Sequence, residues 1–274
     1  MNTVSFKNKT IWITGASSGI GEALAVALAG AGARPVISGR DMDGLERVAE
    51  KCRSDLSSAP PLIEAFDMSE HSQFGAIVKR VLDRTVGIDL LINNAGVGQR
   101  AGALSCKPDV VRKIMEVNFL GPVFLTQEVL PHMLHRGSGR IAVVSSVLGK
   151  FHLPGRSAYA ASKHALQGYF DTLRSEIYGS GVGVTIVCPG WIATDISRNA
   201  LTADGSSYAK ATTALSRKMS AADCAKHILR AVASGKNEAT IGGIEKWGGV
   251  LRTLFPRLYD RVICGRMREF IYKK

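Results

Sequence analysis

Residues Thr10 to Ala23 read TIWITGASSGIGEA: a β-branched and aromatic run, a turn with glycines at 15, 19 and 21, then an Ala/Leu-rich stretch from Glu22 to Ala31. Strand, glycine turn and helix in that order leave unpaired N–H groups and the positive end of a helix dipole just beyond the strand. Glycine also removes the Cβ that would hold a phosphate at a distance. By itself such a turn reads equally well as a tight bend. As the first unit of an alternating chain it reads as a phosphate cradle made by Gly15, Ser17, Ser18, Gly19, Ile20 and Gly21.

The alternation continues. PVISG (Pro35–Gly39), LIEAFDMS (Leu62–Ser69), DLLINNAG (Asp89–Gly96), RIAVVSS (Arg140–Ser146) and GVTIVCPG (Gly183–Gly190) read as further strands, with helical patterns such as Asp43–Arg53 between them. Nearly continuous apolar strands separated by helices indicate a parallel sheet covered on both faces. The expected fold is a single α/β domain, a Rossmann-type doubly wound parallel sheet with a helical C-terminal extension. Beyond Gly190 the pattern loosens, and residues 191–219 are expected to form a mobile, polar loop over the substrate. Helix signals resume at Ser220, where SAAD has the form of a capping box.

Composition narrows the class. The chain has 274 residues, 46% hydrophobic and 21% charged, enough to bury a substantial core. No run approaches the roughly 18 apolar residues of a membrane-spanning helix, and the polar Met1–Lys9 does not read as a targeting segment. Five scattered cysteines without a Cys-x-x-Cys pair suggest neither disulfides nor zinc, and the six histidines lack ligand spacing. A reducing, cytoplasmic location and no metal are expected.

The net charge of +12 is uneven: Glu245 to Lys274 holds eight basic and three acidic residues, so this tail supplies +5 of it. After Pro256, Leu258, Tyr259, Val262, Ile263, Met267, Phe270 and Ile271 recur at roughly helical spacing among the basic residues. A helix with one apolar and one basic face lies at a membrane surface or packs on its own core or a second subunit. Trp247, Phe255 and Tyr259 also suit a greasy substrate entrance. Basic residues alternating with large aliphatics do not form a nucleic-acid-binding stripe.

The end of the second strand reads the adenosine ribose of a dinucleotide. An acidic residue there accepts from the 2′-hydroxyl, whereas arginine accommodates a 2′-phosphate. Arg40 stands there, with Asp41 beside it, and favours NADP(H) over NAD(H). Asp67, at the end of the third strand, is a candidate partner for the adenine amino group or a cap for the next helix, and Met68 lies beside it.

In SAYAASKHAL (Ser157–Leu166), Tyr159 and Lys163 are four residues apart, on one face of a helix. A phenol is a poor acid–base group at neutral pH until a neighbouring cation favours its ionised form. With TGASSGIG (Thr14–Gly21), NNAG (Asn93–Gly96), VNFLG (Val117–Gly121), VVSS (Val143–Ser146), YAASK (Tyr159–Lys163) and PGWIAT (Pro189–Thr194) in this order, the chain resembles the short-chain dehydrogenases/reductases to about residue 240. The division implied is a dinucleotide-binding, catalytic domain over 1–240 and a basic extension over 241–274.

The resemblance implies the following roles. Tyr159 is the general acid in carbonyl reduction and the base in alcohol oxidation. Lys163 lowers its pKa and holds the nicotinamide ribose, and Ser146 hydrogen-bonds the substrate oxygen, with Ser145 structural. Asn118 supports a water-linked proton relay through the lysine. Asn94, Ala95 and Gly96 line the adenosine ribose, while Pro189, Gly190, Ile192 and Thr194 surround the nicotinamide. Some NADP-preferring relatives carry a basic residue within the glycine turn, where this chain has Ser17 and Ser18.

The activity implied is NADP(H)-dependent interconversion of a ketone or aldehyde and an alcohol. The tail resembles those of the hydroxysteroid dehydrogenase-like, membrane-associated branch, which steers the substrate toward a lipid, steroid or retinoid-like molecule. Homodimers or homotetramers formed through the helices carrying Asn118 and Tyr159 are also implied. Reduction of a 3-oxoacyl thioester is the alternative within the enzyme class; a catalytically silent NADP-binding regulatory protein is the alternative outside it.

Overall fold

The computed structural model describes residues 5–53, 60–209 and 219–266. Strand β1 (Thr10–Thr14) is fully buried and alternates its side chains between two cores. Ile11 and Ile13 face one core; Trp12 faces the other and donates its indole N–H to Ser38 Oγ at 2.8 Å. Parallel to it run β2 (Arg34–Ser38), β3 (Leu62–Ile63), β4 (Leu90–Asn93), β5 (Gly139–Val144), β6 (Val182–Pro189) and a seventh strand from Glu238 to Ile241. The order across the sheet, with that last strand at the far edge from β3, reverses direction between β1 and β4. A doubly wound sheet opens its binding crevice at such a reversal, past the carboxyl ends of the strands.

Helices cover both faces. α1 (Gly19–Gly30) and α2 (Met42–Cys52) pack on the Ile11 and Ile13 side. α3 (Phe74–Asp83), α5 (Gly121–His135) and α6 (Ser157–Glu176) pack on the Trp12 side, and α4 (Pro108–Met115) precedes α5. The doubly wound expectation therefore holds, with several boundaries moved. α1 begins at Gly19 rather than Glu22, because the glycine turn itself forms the first helical turn. LIEAFDMS pairs as a strand only over its first two residues; Glu64 and Phe66 still donate to Ile37 and Gly39 carbonyls before the chain turns at Asp67.

The stretch after Gly190 carries backbone pairing of its own. It holds a two-residue strand, β7 (Ile192–Ala193), paired with β8 (Met219–Ser220). Leu201 donates to Gly98 O at 3.0 Å and accepts from Arg100 N at 2.8 Å, which stitches the loop onto the segment after β4. Residues 210–218 of the expected loop lie outside the described residues. α7 (Ala221–Ala233) is capped by Ser220, whose hydroxyl accepts from Asp223 N at 3.0 Å. The seventh strand, β9 (Glu238–Ile241), leads into α8 (Gly248–Leu254) and α9 (Pro256–Arg266).

The helical stripe of the tail divides between two environments. Tyr259 is buried against Phe151 and donates its hydroxyl to His152 O, and Ile263 packs on the same cluster. Leu258 and Val262 face outward, 49% and 38% exposed. Met267, Phe270 and Ile271 lie outside the described residues.

Candidate active site

At the crevice the turn after β1 meets the turn after β4. The Thr14 hydroxyl accepts from the N–H groups of Asn94 and Ala95, both at 3.1 Å. The Asn94 amide donates back to Thr14 O at 2.9 Å and Gly15 O at 3.1 Å. Gly15 has φ +64°, and a Cβ there would lie 2.7 Å from Ala95 Cα. At Gly21 a Cβ would meet Gly15 O and Asn94 Nδ2. Gly21 is thus a packing glycine rather than a wall of the cleft.

Ser18, the residue preceding α1, is extended and makes no side-chain cap. Among the described residues no side chain accepts from the first N–H groups of this helix, which fits an anionic phosphate at that end. The cleft in front of it measures about 650 Å³, within the usual range for a ligand site. Of the residues expected at the site, all but Gly21 and Asn118 line it.

α6 carries Tyr159 and Lys163 into the cleft. Its own first residues provide no side-chain cap, and Gln99, fully buried, substitutes from the loop after β4 by accepting from Tyr159 N at 3.1 Å. Ser145 Oγ donates to Lys163 O at 3.0 Å and accepts from Gln167 at 3.2 Å, a structural bolt between β5 and α6. Ser146 faces the cleft and caps a short turn by accepting from Leu148 N. Burial pushes the Tyr159 phenol above its ordinary value, while the Ser146 hydroxyl and the Arg156 guanidinium pull the other way.

Lys163 is 3% exposed, and its Nζ donates to Val144 O at 2.9 Å. Burial brings its pKa down to about 8. The ammonium lies 5.9 Å from the Tyr159 ring centre. Asn118 sits in a single π-helical turn, Glu116–Leu120, between α4 and α5, a distortion common at functional sites. Its amide is fully engaged: Oδ1 accepts from Val97 N, and Nδ2 donates to Val97 O and Ser162 Oγ. Its side chain pins the loop after β4.

The Arg40 end of the cleft is more basic than the sequence indicates. Arg40 lines the cleft with its side chain 61% exposed, 3.6 Å from Asp67. Asp41 is taken up in capping α2, accepting from Gly44 N at 3.0 Å. Asp67 accepts from the Ser69 N–H and hydroxyl. Burial raises this carboxyl, but those hydrogen bonds, with Lys113 and Arg40 nearby, hold it below the usual range. Lys113 also lines the cleft, and Arg47 donates to Ser17 O at 3.0 Å, bringing a cation from α2 to the glycine turn. Neither has a local sequence signal, because each reaches the site only through the packing of its helix. Trp247, Phe255 and Tyr259 do not line this cleft. Among the described residues no cluster of His, Cys, Asp or Glu could hold a metal ion.

The chain belongs to the short-chain dehydrogenase family, whose model matches residues 9–205, and it is an oxidoreductase of that class. It is 42% identical over 270 residues to dehydrogenase/reductase SDR family member 7B of Danio rerio, spanning 97% of this chain and 87% of that relative. It is 41% identical over 261 residues to dehydrogenase/reductase SDR family protein 7-like of Drosophila melanogaster, spanning 94% and 80%. Among solved structures, a short-chain dehydrogenase from Burkholderia cenocepacia J2315 in complex with NADP matches with a TM-score of 0.77 and 25% identity, over 95% of this chain and 99% of that one. A short-chain dehydrogenase from Streptomyces avermitilis matches with a TM-score of 0.78 and 26% identity.

The buried lysine has a measurable cost. Between pH 8 and 10.5 the unfolded chain carries a proton on Lys163 that the folded chain has lost, so stability rises with pH across that window. Lys163→Met is expected to raise the thermal midpoint of the nucleotide-free protein at pH 7 by a few degrees. That gain is expected to shrink as the pH is raised from 8 to 10.5, as read by differential scanning calorimetry.

Proposed function

We propose that the protein is an NADP(H)-dependent carbonyl reductase or alcohol dehydrogenase in which Tyr159 transfers the proton, on a lipophilic substrate. The observation that carries this reading is the convergence of Ser146, Tyr159 and Lys163 on one cleft with the glycine turn. The bound nucleotide supplies or accepts the hydride. Ser146 and the Tyr159 hydroxyl present two donors toward a carbonyl oxygen, where charge develops during reduction. Tyr159, raised by burial, keeps its proton at neutral pH and gives it to that oxygen. Lys163 holds the ribose hydroxyls and supplies positive charge when the phenol ionises.

Arg40 and Lys113 at the adenosine end, with Arg47 at the glycine turn, support a 2′-phosphate and hence NADP(H). Val97, Ile196 and Leu201 line the cleft and support an apolar substrate. Partly buried aromatic residues Phe119, Phe124 and Tyr169 on or beside α5 and α6 support a homodimer or homotetramer through those helices.

Peripheral attachment to a membrane completes the proposal. No helix of the described residues is long and apolar enough to cross a membrane. Ile244, Trp247, Val250, Leu254, Phe255, Leu258 and Val262 are all exposed, between 38% and 88%. Lys246, Arg257 and Arg261 are exposed among them. Apolar side chains interleaved with cations match a bilayer carrying anionic headgroups.

Tyr159→Phe is expected to bind NADPH as the wild type does while losing about 10²–10⁴-fold in turnover on a ketone panel; unchanged turnover would falsify the mechanism. Arg40→Ala is expected to shrink the NADPH-over-NADH affinity ratio by about ten- to a hundredfold, and an unmoved ratio removes Arg40 as the discriminator. In flotation with phosphatidylserine-containing liposomes, the wild type is expected to float and Leu254→Ser/Phe255→Ser to remain at the bottom. Equal behaviour of the two forms contradicts attachment through this face.

A further inference from the structure

The segment after α7 meets the stretch Gly190–Thr194 at a residue none of the motifs includes. β9 ends at Ile241, whose carbonyl accepts from Gly190 N at 2.7 Å. The chain then turns through Gly242 (φ +156°) and Gly243 into the short turn Ile244–Trp247. Ile244 and Trp247 point away from the protein, 88% and 60% exposed. Glu245, between them, points inward, and its Oε1 accepts from Trp191 N at 3.1 Å.

The surroundings of that carboxylate are glycine backbone. A Cβ on Gly242 would lie 2.6 Å from Oε1, one on Gly243 would lie 3.1 Å from Oε2, and one on Gly190 would clash with the same side chain. Among the described residues no lysine, arginine or histidine forms an ion pair with Glu245. A backbone N–H donating to a carboxylate makes a charge-assisted hydrogen bond, about twice as strong as a neutral one. The bond fixes the start of the segment that runs through Ile192 to Thr194, both on the cleft wall. Thr194 in turn abuts the glycine turn: a Cβ on Gly19 would lie 3.2 Å from its Cγ2.

The segment that follows β9 has a second anchor, on the residues after Ser146. Gly248 packs against the Phe151 ring so closely that a Cβ would lie 2.6 Å from it, and Arg252 donates to Lys150 O at 3.3 Å. Residues 150–151 lie between Ser146 and Tyr159 in the chain. The extension is therefore tied both to residues 150–151 and to the segment that leads to Thr194, and Glu245 makes the latter contact. This contact lies outside residues 9–205, the part matched by the family model.

We infer that Glu245 is a positioning residue for the nicotinamide end of the cofactor site, setting the path of Gly190–Thr194 through the Trp191 N–H. The inference rests on the reading of Ile192 and Thr194 as nicotinamide contacts. A carboxylate that only stabilised the fold would affect every ligand of the cleft alike. One that sets this wall affects only ligands that reach it.

The test compares two ligands by isothermal titration calorimetry with the full chain: NADPH, and 2′-phospho-ADP-ribose, which has the adenosine and phosphates but no nicotinamide. Glu245→Ala is expected to weaken NADPH about tenfold and to leave the fragment within about twofold. Glu245→Gln, whose amide oxygen can still accept from Trp191 N, is expected to restore most of the NADPH affinity. Equal weakening of both ligands, or of neither, overturns the inference. A wild type that binds the fragment as tightly as NADPH contradicts the nicotinamide reading of Ile192 and Thr194 itself, and one that binds neither contradicts the nucleotide reading.

Discussion

Two turns share one small space at the ends of β1 and β4, and the cleft exists because they fit there. Gly15 lies against Ala95 with no room for a Cβ, and the Thr14 hydroxyl receives two N–H groups from the opposite turn. That contact fixes where α1 begins, and hence where its unpaired N–H groups point. It also fixes Asn94 to Gly96 as the adjoining wall. The segment that follows then carries Gln99 to the first turn of α6, so the height of Tyr159 in the cleft depends on the same contact.

Within that frame, burial sets the chemistry. The phenol is pushed up and the lysine ammonium down, each toward its neutral form. A cation held by one carbonyl, with no ion pair among the described residues, is a poor choice for stability alone. Strained or under-compensated groups of this kind are tolerated where function requires them. In the proposed reaction the nucleotide ribose provides that compensation. Ser145 and Gln167 hold the backbone of α6 in place while the Lys163 side chain remains able to meet a ligand.

Much of this was legible in the chain because it is local. TIWIT is a strand in which every position is buried, Ser220 caps a helix as short polar residues do, and Tyr159 and Lys163 share a helix face by spacing alone. What escaped depends on distant pairing. Glu238–Ile241 has no apolar run and becomes a strand only because β6 offers an edge. The π turn at Asn118 has no composition signal. Lys113, Arg47, Gln99 and Glu245 reach the site from elsewhere in the fold, and nothing beside them in sequence marks them. Spacing alone puts the tail's apolar residues on one stripe, yet Tyr259 buries itself on Phe151 while Leu258 next to it stays exposed, a division set by the core surface available to α9.

The central claim is that one cleft brings a nicotinamide hydride and the Tyr159 proton to the same carbonyl. Isotope effects on ketone reduction test it most directly. The account expects kcat/KM to fall when the transferred nicotinamide hydrogen is deuterium and also in D2O, with the solvent effect lost in the residual turnover of Tyr159→Phe. A rate insensitive to the nicotinamide isotope, with the same solvent effect in wild type and variant, would contradict it.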